Sequence, residues 1–231
     1  MEENQDIKII KGFEHVKYSH VQYSQKEMIE RSKKFYDWME TRRSVREFSD
    51  KPVPKEVIDN ILLSASTAPS GAHKQPWTFC VVSNPEIKTK IREAAEKEEY
   101  ESYTNRMSDE WLDDLKPMAT DWKKPFLEIA PYLIIVFKKP FEYDSEGKKR
   151  QNYYVSESVG LAAGILITAI HDAGLVTLTH TPSPMNFLQK ILERPDNERA
   201  FLLLPVGYEA EDVFVPNNRR KGLEEMAFYY D

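Results

Sequence analysis

Arg42, Arg43 and Arg46 crowd around Ser44 in the string Arg42-Arg43-Ser44-Val45-Arg46. Further along, Ala68-Pro69-Ser70-Gly71-Ala72-His73-Lys74-Gln75-Pro76-Trp77 offers open backbone beside a glycine. Guanidinium presents paired donors in a plane and suits a phosphate, a serine adds a hydroxyl, and a glycine lets main chain approach a ligand closely. One bound anion explains both strings. The three arginines cannot share a helical face, but a short loop entering a strand can direct two or three of them at the same anion. A second basic triplet, Arg219-Arg220-Lys221, can close on that anion from far along the chain. On charge pattern alone, each triplet reads first as a solvated surface patch.

The familiar signatures of other chemistry are missing, although composition leaves a serine or cysteine nucleophile with a His partner open. Among eight glycines neither G-x-G-x-x-G nor G-x-x-x-x-G-K-[ST] can be built, so a phosphate here must be held by side chains. His15, His20, His73, His171 and His180 are dispersed and Cys80 is the sole cysteine, which leaves no metal site of readable spacing and no intrachain disulfide. Cys80 sits in a strand-like run and is expected to pack as a small hydrophobe. No G-x-S-x-G elbow is present.

Glu99 and Tyr103 are spaced i, i+4 and project from one helix face, and Lys124 follows in an irregular segment able to fold back over them. A carboxylate, a phenol and an ammonium together match an amino-acid zwitterion. On spacing alone, however, the trio reads as a solvated helix face with a nearby lysine.

The elements that must position these residues follow from pattern. Residues 1 to about 23 lack a clear period and read as an extended arm, of a kind that often lies on a neighbour. Ser24 to Glu27 forms a capping box that opens a helix ending near Glu40, with Met28, Phe35 and Met39 on one face. Val53-Pro54 starts a second helix with a Val57, Ile58, Ile61, Leu62, Ala65 stripe, which delivers the chain to Pro69-Ser70-Gly71. A strand over 77–82 precedes a helix capped by Asn84, whose charged half from Glu96 to Met107 is expected to be exposed. Residues 108–128 read as short helices, with a lid at about 100–124.

Tyr132 to Phe137 is a buried strand, and 152–173 a long helix stopped by Gly174, with Gly160 and Gly164 suited to close packing against another helix or subunit. Leu175 to Thr179 is a strand, Asn186 to Leu192 a short helix and Phe201 to Val206 a final strand. This alternation implies an α+β fold, an α/β sandwich formed by one domain over 24–231.

The full chain has 231 residues, of which 41% are hydrophobic, and a formal net charge of −6. It can bury a sizeable core, and its charge argues against a nucleic-acid surface. Met1 to Asp6 contains no basic region leading into an apolar stretch, so a cytoplasmic location and no membrane partner are expected.

The Arg42–Arg46 string, Ala68 to His73 and Pro76-Trp77 resemble the flavin-binding signature of the nitroreductase fold. Together with Glu98-Glu99, Tyr103, Arg106-Met107, Trp122, Lys124, Asn152-Tyr153-Tyr154, Thr181-Pro182 and Leu203 to Tyr208, they make the chain similar to the iodotyrosine deiodinase family over about residues 35–225.

The resemblance implies a mixed sheet flanked by helices, in an intertwined homodimer with two FMN molecules at the subunit interface. It implies that Arg42, Arg43, Ser44, Arg46 and Arg220 hold the FMN phosphate and ribityl chain, and that Pro69, Ser70 and Gly71 line the flavin. Thr179, His180 and Thr181 pass its N5 edge, with the Thr181 hydroxyl donating to N5 and His180 contacting the flavin through its backbone. Glu99, Tyr103 and Lys124 become a zwitterion clamp, and the Ala72 amide receives a phenolate.

The implied reaction is reductive dehalogenation of a 3-halotyrosine, with electrons from a reductase or NAD(P)H. Vertebrate members carry an amino-terminal membrane anchor that is not seen in this sequence. Two other readings stay open at this stage, a nitroreductase of broad specificity that uses NAD(P)H directly and a non-catalytic flavin or tyrosine-derivative sensor.

Overall fold

The run Tyr132 to Phe137 becomes an inner strand of a four-stranded sheet in a computed structural model of the chain, whose described residues are 6–230. Residues 1–5 and 231 lie outside them, and with them the start of the expected arm, most of the expected leader-free N-terminus and the last residue of the expected domain. The described chain forms two compact units that divide after Arg42.

In the first unit the expected extended arm contains a hairpin. Strands β1 (Ile7–Ile10) and β2 (Phe13–Val16) pair antiparallel, with Ile10 opposite Phe13. Lys11 and Gly12 form the turn with φ of 51° and 86°, the left-handed pair that a two-residue hairpin loop requires. Helix α1 (Gln25–Glu40) opens on the expected capping box: the Glu27 N–H donates to Ser24 Oγ at 3.3 Å and the Ser24 N–H to Glu27 Oε2 at 2.8 Å. No residue of α1 is buried.

In the second unit, β3 (Trp77–Val82), β4 (Tyr132–Lys138), β8 (Arg199–Gly207) and β7 (Val176–Thr177) lie in the order β3-β4-β8-β7 with antiparallel ladders. Ser44 adds a parallel bridge to Thr177 at the β7 edge. Alternation along the strands supplies two cores. Ile134, Val136, Leu204 and Val206 pack against α2 (Lys55–Ser66) and α6 (Val155–Asp172). Leu133, Ile135, Phe137 and Leu203 pack against α3 (Pro85–Glu101), α5 (Phe126–Ile129) and α7 (Asn186–Ile191). Each large side chain so buried contributes roughly 1.5–3 kcal/mol, which makes the sheet a stiff platform for the loops at its β7 edge.

Several expectations are refined. Pro54 is the N-cap of α2 rather than its first helical residue, and the strand expected over Leu175 to Thr179 shortens to Val176–Thr177. The half-helix from Glu96 to Met107 is not simply exposed. It ends in a π-helical turn over Ser102–Arg106, and Glu99 and Ser102 turn inward against the following segment.

Helix α6 is long and apolar enough to cross a membrane by length and composition, yet Val159, Ala162, Leu166 and Ile170 are buried in the core. Gly160 and Gly164 lie on its other face. A Cβ added at either would meet nothing within 4 Å, so among the described residues no helix packs closely on them. The stop at Gly174 is a Schellman motif: at φ 72° its N–H donates to the His171 carbonyl, and the Leu175 N–H donates to the Ile170 carbonyl. Helices α4 (Asp109–Leu115) and α8 (Leu223–Met226) complete the second unit, with a small hairpin of β5 (Phe141–Tyr143) and β6 (Lys149–Gln151).

Candidate functional site

The basic string leaves α1 and runs along the β7 edge of the sheet. Arg42 closes the first unit, its N–H donating to the Met39 carbonyl. Arg43 donates from Nη2 to the Pro216 carbonyl. The Val45 N–H donates to the Thr177 carbonyl at 3.2 Å while the Val45 side chain is buried, so Ser44 and Arg46 alternate to the other side. The positive charge of Arg46 acts on the titration of Tyr103, Lys124 and His180. The distant triplet divides. Arg219 pairs with both oxygens of Glu225 at 2.5 and 2.8 Å, and Arg220 is exposed.

The Pro69-Ser70-Gly71 turn sits against the start of α6. The Gly71 N–H donates to Ser158 Oγ at 3.3 Å and the Gln75 N–H to Ser70 Oγ at 2.9 Å. A Cβ on Gly71 would stand 2.8 Å from the Tyr153 carbonyl oxygen, so only glycine allows this approach. Ala72, His73 and Gln75 all hold left-handed φ, at 49°, 54° and 47°. Non-glycine residues in this region cost roughly 1–3 kcal/mol each and gather where the backbone is aimed at something. Ala72 is exposed, and among the described residues its N–H donates to no protein acceptor.

Thr179 and Thr181 are exposed on either side of the buried His180. The His180 N–H and carbonyl are both paired with Leu203, at 2.9 and 3.1 Å, so its backbone is engaged within the sheet. Its ring stands edge-on to Phe126 at 5.8 Å, and among the described residues its buried Nε2 has no hydrogen-bond partner. Burial first, then the charges of Lys124 and Arg46, push its pKa down to about 3. The imidazole is neutral throughout the physiological range.

Glu99, Tyr103 and Lys124 do come together. Lys124 Nζ lies 3.5 Å from Glu99 Oε2, and both side chains are nearly buried, at 5% and 12% exposure. Nζ also donates to Thr120 Oγ1 at 3.2 Å and to the Asp121 carbonyl, and it lies 5.6 Å from the centre of the Tyr103 ring. The Tyr103 hydroxyl donates to the Thr120 carbonyl at 3.4 Å. Burial raises the Glu99 pKa and lowers that of Lys124, and each charge opposes the shift of the other. Burial likewise raises Tyr103.

Three residues around this trio escaped the sequence reading. Glu96 Oε1 accepts from the Lys124 main-chain N–H at 2.6 Å, Arg92 Nε donates to that same oxygen at 2.8 Å, and Arg106 Nη1 joins Glu98 Oε2 at 2.8 Å to the Ser183 carbonyl at 2.6 Å. Spacing carried a signal for the first two. Arg92, Glu96, Glu99 and Tyr103 follow one another at four, three and four residues along a single helical stripe.

Residues 39–208 match the model of the Nitroreductase family. The chain is 64% identical over 215 residues to the iodotyrosine deiodinase of Haliscomenobacter hydrossis, covering 93% of this chain and 97% of that protein. This chain belongs to the nitroreductase family, among the iodotyrosine deiodinases. Human iodotyrosine deiodinase 1 is 47% identical to this family member over 214 residues, covering 92% of this chain and 74% of its own. A crystal structure of oxidized iodotyrosine deiodinase bound to FMN and 3-iodo-L-tyrosine superposes with a TM-score of 0.72 at 33% identity, over 85% of this chain and 99% of the other. A nitroreductase with bound FMN from Bacteroides fragilis, 20% identical with a TM-score of 0.63, shares the fold.

Proposed function

We propose that this deiodinase-family chain is an FMN-dependent dehalogenase that converts mono- and diiodotyrosine to tyrosine and iodide. The observation that carries the reading is the nearly buried Glu99–Lys124 pair beside Tyr103, a ready-made counterpart to an amino-acid zwitterion. The residues present fit FMN: the exposed Ala72 presents an open amide at a left-handed φ, and Arg43 and Arg46 supply cationic donors beside Ser44. Reduced FMN supplies two electrons as the ring carbon exchanges halide for a proton.

The chain's own groups then have defined work. Arg42, Arg43, Ser44, Arg46 and Arg220 hold the phosphate and ribityl region, and Pro69, Ser70 and Gly71 flank the ring. The Thr181 hydroxyl donates toward N5, and Thr179 lines the same edge. Glu99 takes the ligand's ammonium and Lys124 its carboxylate, while Tyr103 closes over them. The Ala72 N–H would donate to the phenolate and so orient the halogen-bearing ring. The segment 100–124 closes as a lid and excludes water. The working unit is a homodimer supplied with electrons by a reductase or by NAD(P)H.

The test is direct. Purified protein should be yellow, bind 3-iodotyrosine and release iodide when reduced, and Lys124→Ala and Glu99→Gln should abolish iodotyrosine affinity with FMN retained. A flavin-replete sample that neither binds nor dehalogenates iodotyrosine overturns the reading. Steady nitroaromatic reduction indifferent to tyrosine ligands would mark a general nitroreductase, and affinity without turnover a sensor.

A further inference from the structure

We infer that Glu96, held by Arg92, is the positioning residue of the zwitterion clamp: its carboxylate fixes the main chain of Lys124 and so sets the point from which the ammonium reaches a ligand's carboxylate. The inference rests on the reading of Lys124 as the group that binds that carboxylate.

The argument is one of what remains when the clamp changes partners. Lys124 Nζ touches Glu99, Thr120 and Asp121. Thr120 and Asp121 belong to the same segment as Lys124 and so do not tie it to α3. Glu99 belongs to α3, but it is the group that a ligand's ammonium takes. Once Glu99 is so engaged, the Glu96 carboxylate, which accepts from the Lys124 N–H at 2.6 Å, is the remaining direct tie between α3 and Lys124. That tie acts on the main chain, so the side chain can turn from Glu99 to the ligand while its base stays fixed.

Glu96 is itself prevented from turning. Arg92 donates to its Oε1 at 2.8 Å and reaches Glu128 at 3.3 Å. One turn earlier on the same stripe, Lys88 is buried and donates to the carbonyls of Glu128 and Ala130 at 2.7 and 2.9 Å. Phe126, Leu127 and Ala130 are packed in the core beside Ile91 and Ala95. The stretch from Lys124 to Ala130 is therefore fastened to α3 at both ends, and Glu96 is the fastening at the clamp. A charge-assisted hydrogen bond with two donors on one carboxylate oxygen is short and directional, as positioning requires.

The experiment uses FMN-loaded protein and two ligands, 3-iodotyrosine and 2-iodophenol, which lacks the zwitterion. Affinity is read from quenching of flavin fluorescence. Glu96→Ala should weaken 3-iodotyrosine roughly ten- to a hundredfold, the range of a lost hydrogen bond to a charged group, and leave 2-iodophenol unchanged. Glu96→Gln, which retains an acceptor for the Lys124 N–H, should restore most of the affinity. Arg92→Met should weaken 3-iodotyrosine severalfold with 2-iodophenol again unchanged, and it carries the test with Glu96→Gln should Glu96→Ala lose FMN.

Parallel weakening of both ligands, or no weakening of 3-iodotyrosine, overturns the inference. Lys124→Met measured alongside separates the two failures. If it abolishes 3-iodotyrosine binding while Glu96→Ala and Arg92→Met do not weaken it, only the positioning role is lost. If Lys124→Met itself binds normally, the clamp reading falls as well.

Discussion

Glu99 and Lys124 satisfy each other's charge across 3.5 Å in a space with little water, one from α3 and the other from the segment leading into α5. Burial pushes both toward neutrality, and their mutual attraction opposes that shift. A zwitterion can enter by replacing both halves of this pair at once. A ligand with a single charge takes one partner and leaves the other buried and unpaired, which is costly.

An unusual order of affinity is therefore expected. 3-Iodotyrosine should bind most tightly, whereas 3-iodotyramine and 3-(4-hydroxy-3-iodophenyl)propanoate should each bind roughly tenfold or more weakly than 2-iodophenol, which carries neither side-chain charge. Titration of the four ligands into FMN-loaded protein checks this. Affinities that rise stepwise with each added charge would show that the internal pair opens freely.

His180 makes acid stability a second test. Its folded pKa, pushed down to about 3, lies below the ordinary value of 6.5. Between those pH values the unfolded chain binds a proton on this imidazole that the folded chain refuses, so stability falls as pH drops through that window, by up to about 1.4 kcal/mol per pH unit. His180→Phe removes this titration and also the buried Nε2, which among the described residues has no partner. The melting temperature of the variant should decline less steeply than that of the parent between pH 6.5 and 4, and identical slopes would contradict the assignment.

Gly71→Ala tests the close approach to α6. The added carbon meets backbone, the Tyr153 carbonyl oxygen at 2.8 Å, and backbone cannot swing aside as a side chain can. Strain of this kind costs about 1–3 kcal/mol. The variant should melt several degrees lower and lose FMN more readily on dilution, as read by flavin fluorescence.

Arg106, in the π-helical turn over Ser102–Arg106, joins Glu98 of α3 on one side to the Ser183 carbonyl of the loop that carries Thr181 on the other. Arg106→Met leaves Glu99, Tyr103 and Lys124 in place but frees that loop. Steady-state deiodination should then show kcat lowered severalfold with a smaller change in KM. A rise in KM alone would assign Arg106 to ligand binding instead.

Much of the local structure was legible because its causes are local. The Ser24 and Glu27 capping box, the Asn84 cap that accepts from the Ile87 N–H at 3.0 Å and the glycine stop at Gly174 each depend on residues within one turn. The arginine string and the Ala68 to His73 segment were equally readable, since guanidinium and open glycine backbone serve few purposes so densely placed. The i, i+4 spacing of Glu99 and Tyr103 placed them on one face, but it could not say whether that face met solvent or the lid. Charged residues over Glu96 to Met107 therefore suggested exposure, and Glu99 proved nearly buried.

The order of types along the chain thus determined which groups were available: an arginine cluster without a nucleotide loop, a glycine turn, and a carboxylate, phenol and ammonium free of metal-ligand spacing. Folding decided what those groups are. Burial against Phe126 and the charges of Lys124 and Arg46 make His180 neutral, Glu225 pairs with Arg219, and Glu96 reaches across from α3 to hold the amide of Lys124. Ionisation and hydrogen bonding depend on desolvation and on distances between segments remote in sequence, and those are set only when the helices close on the sheet.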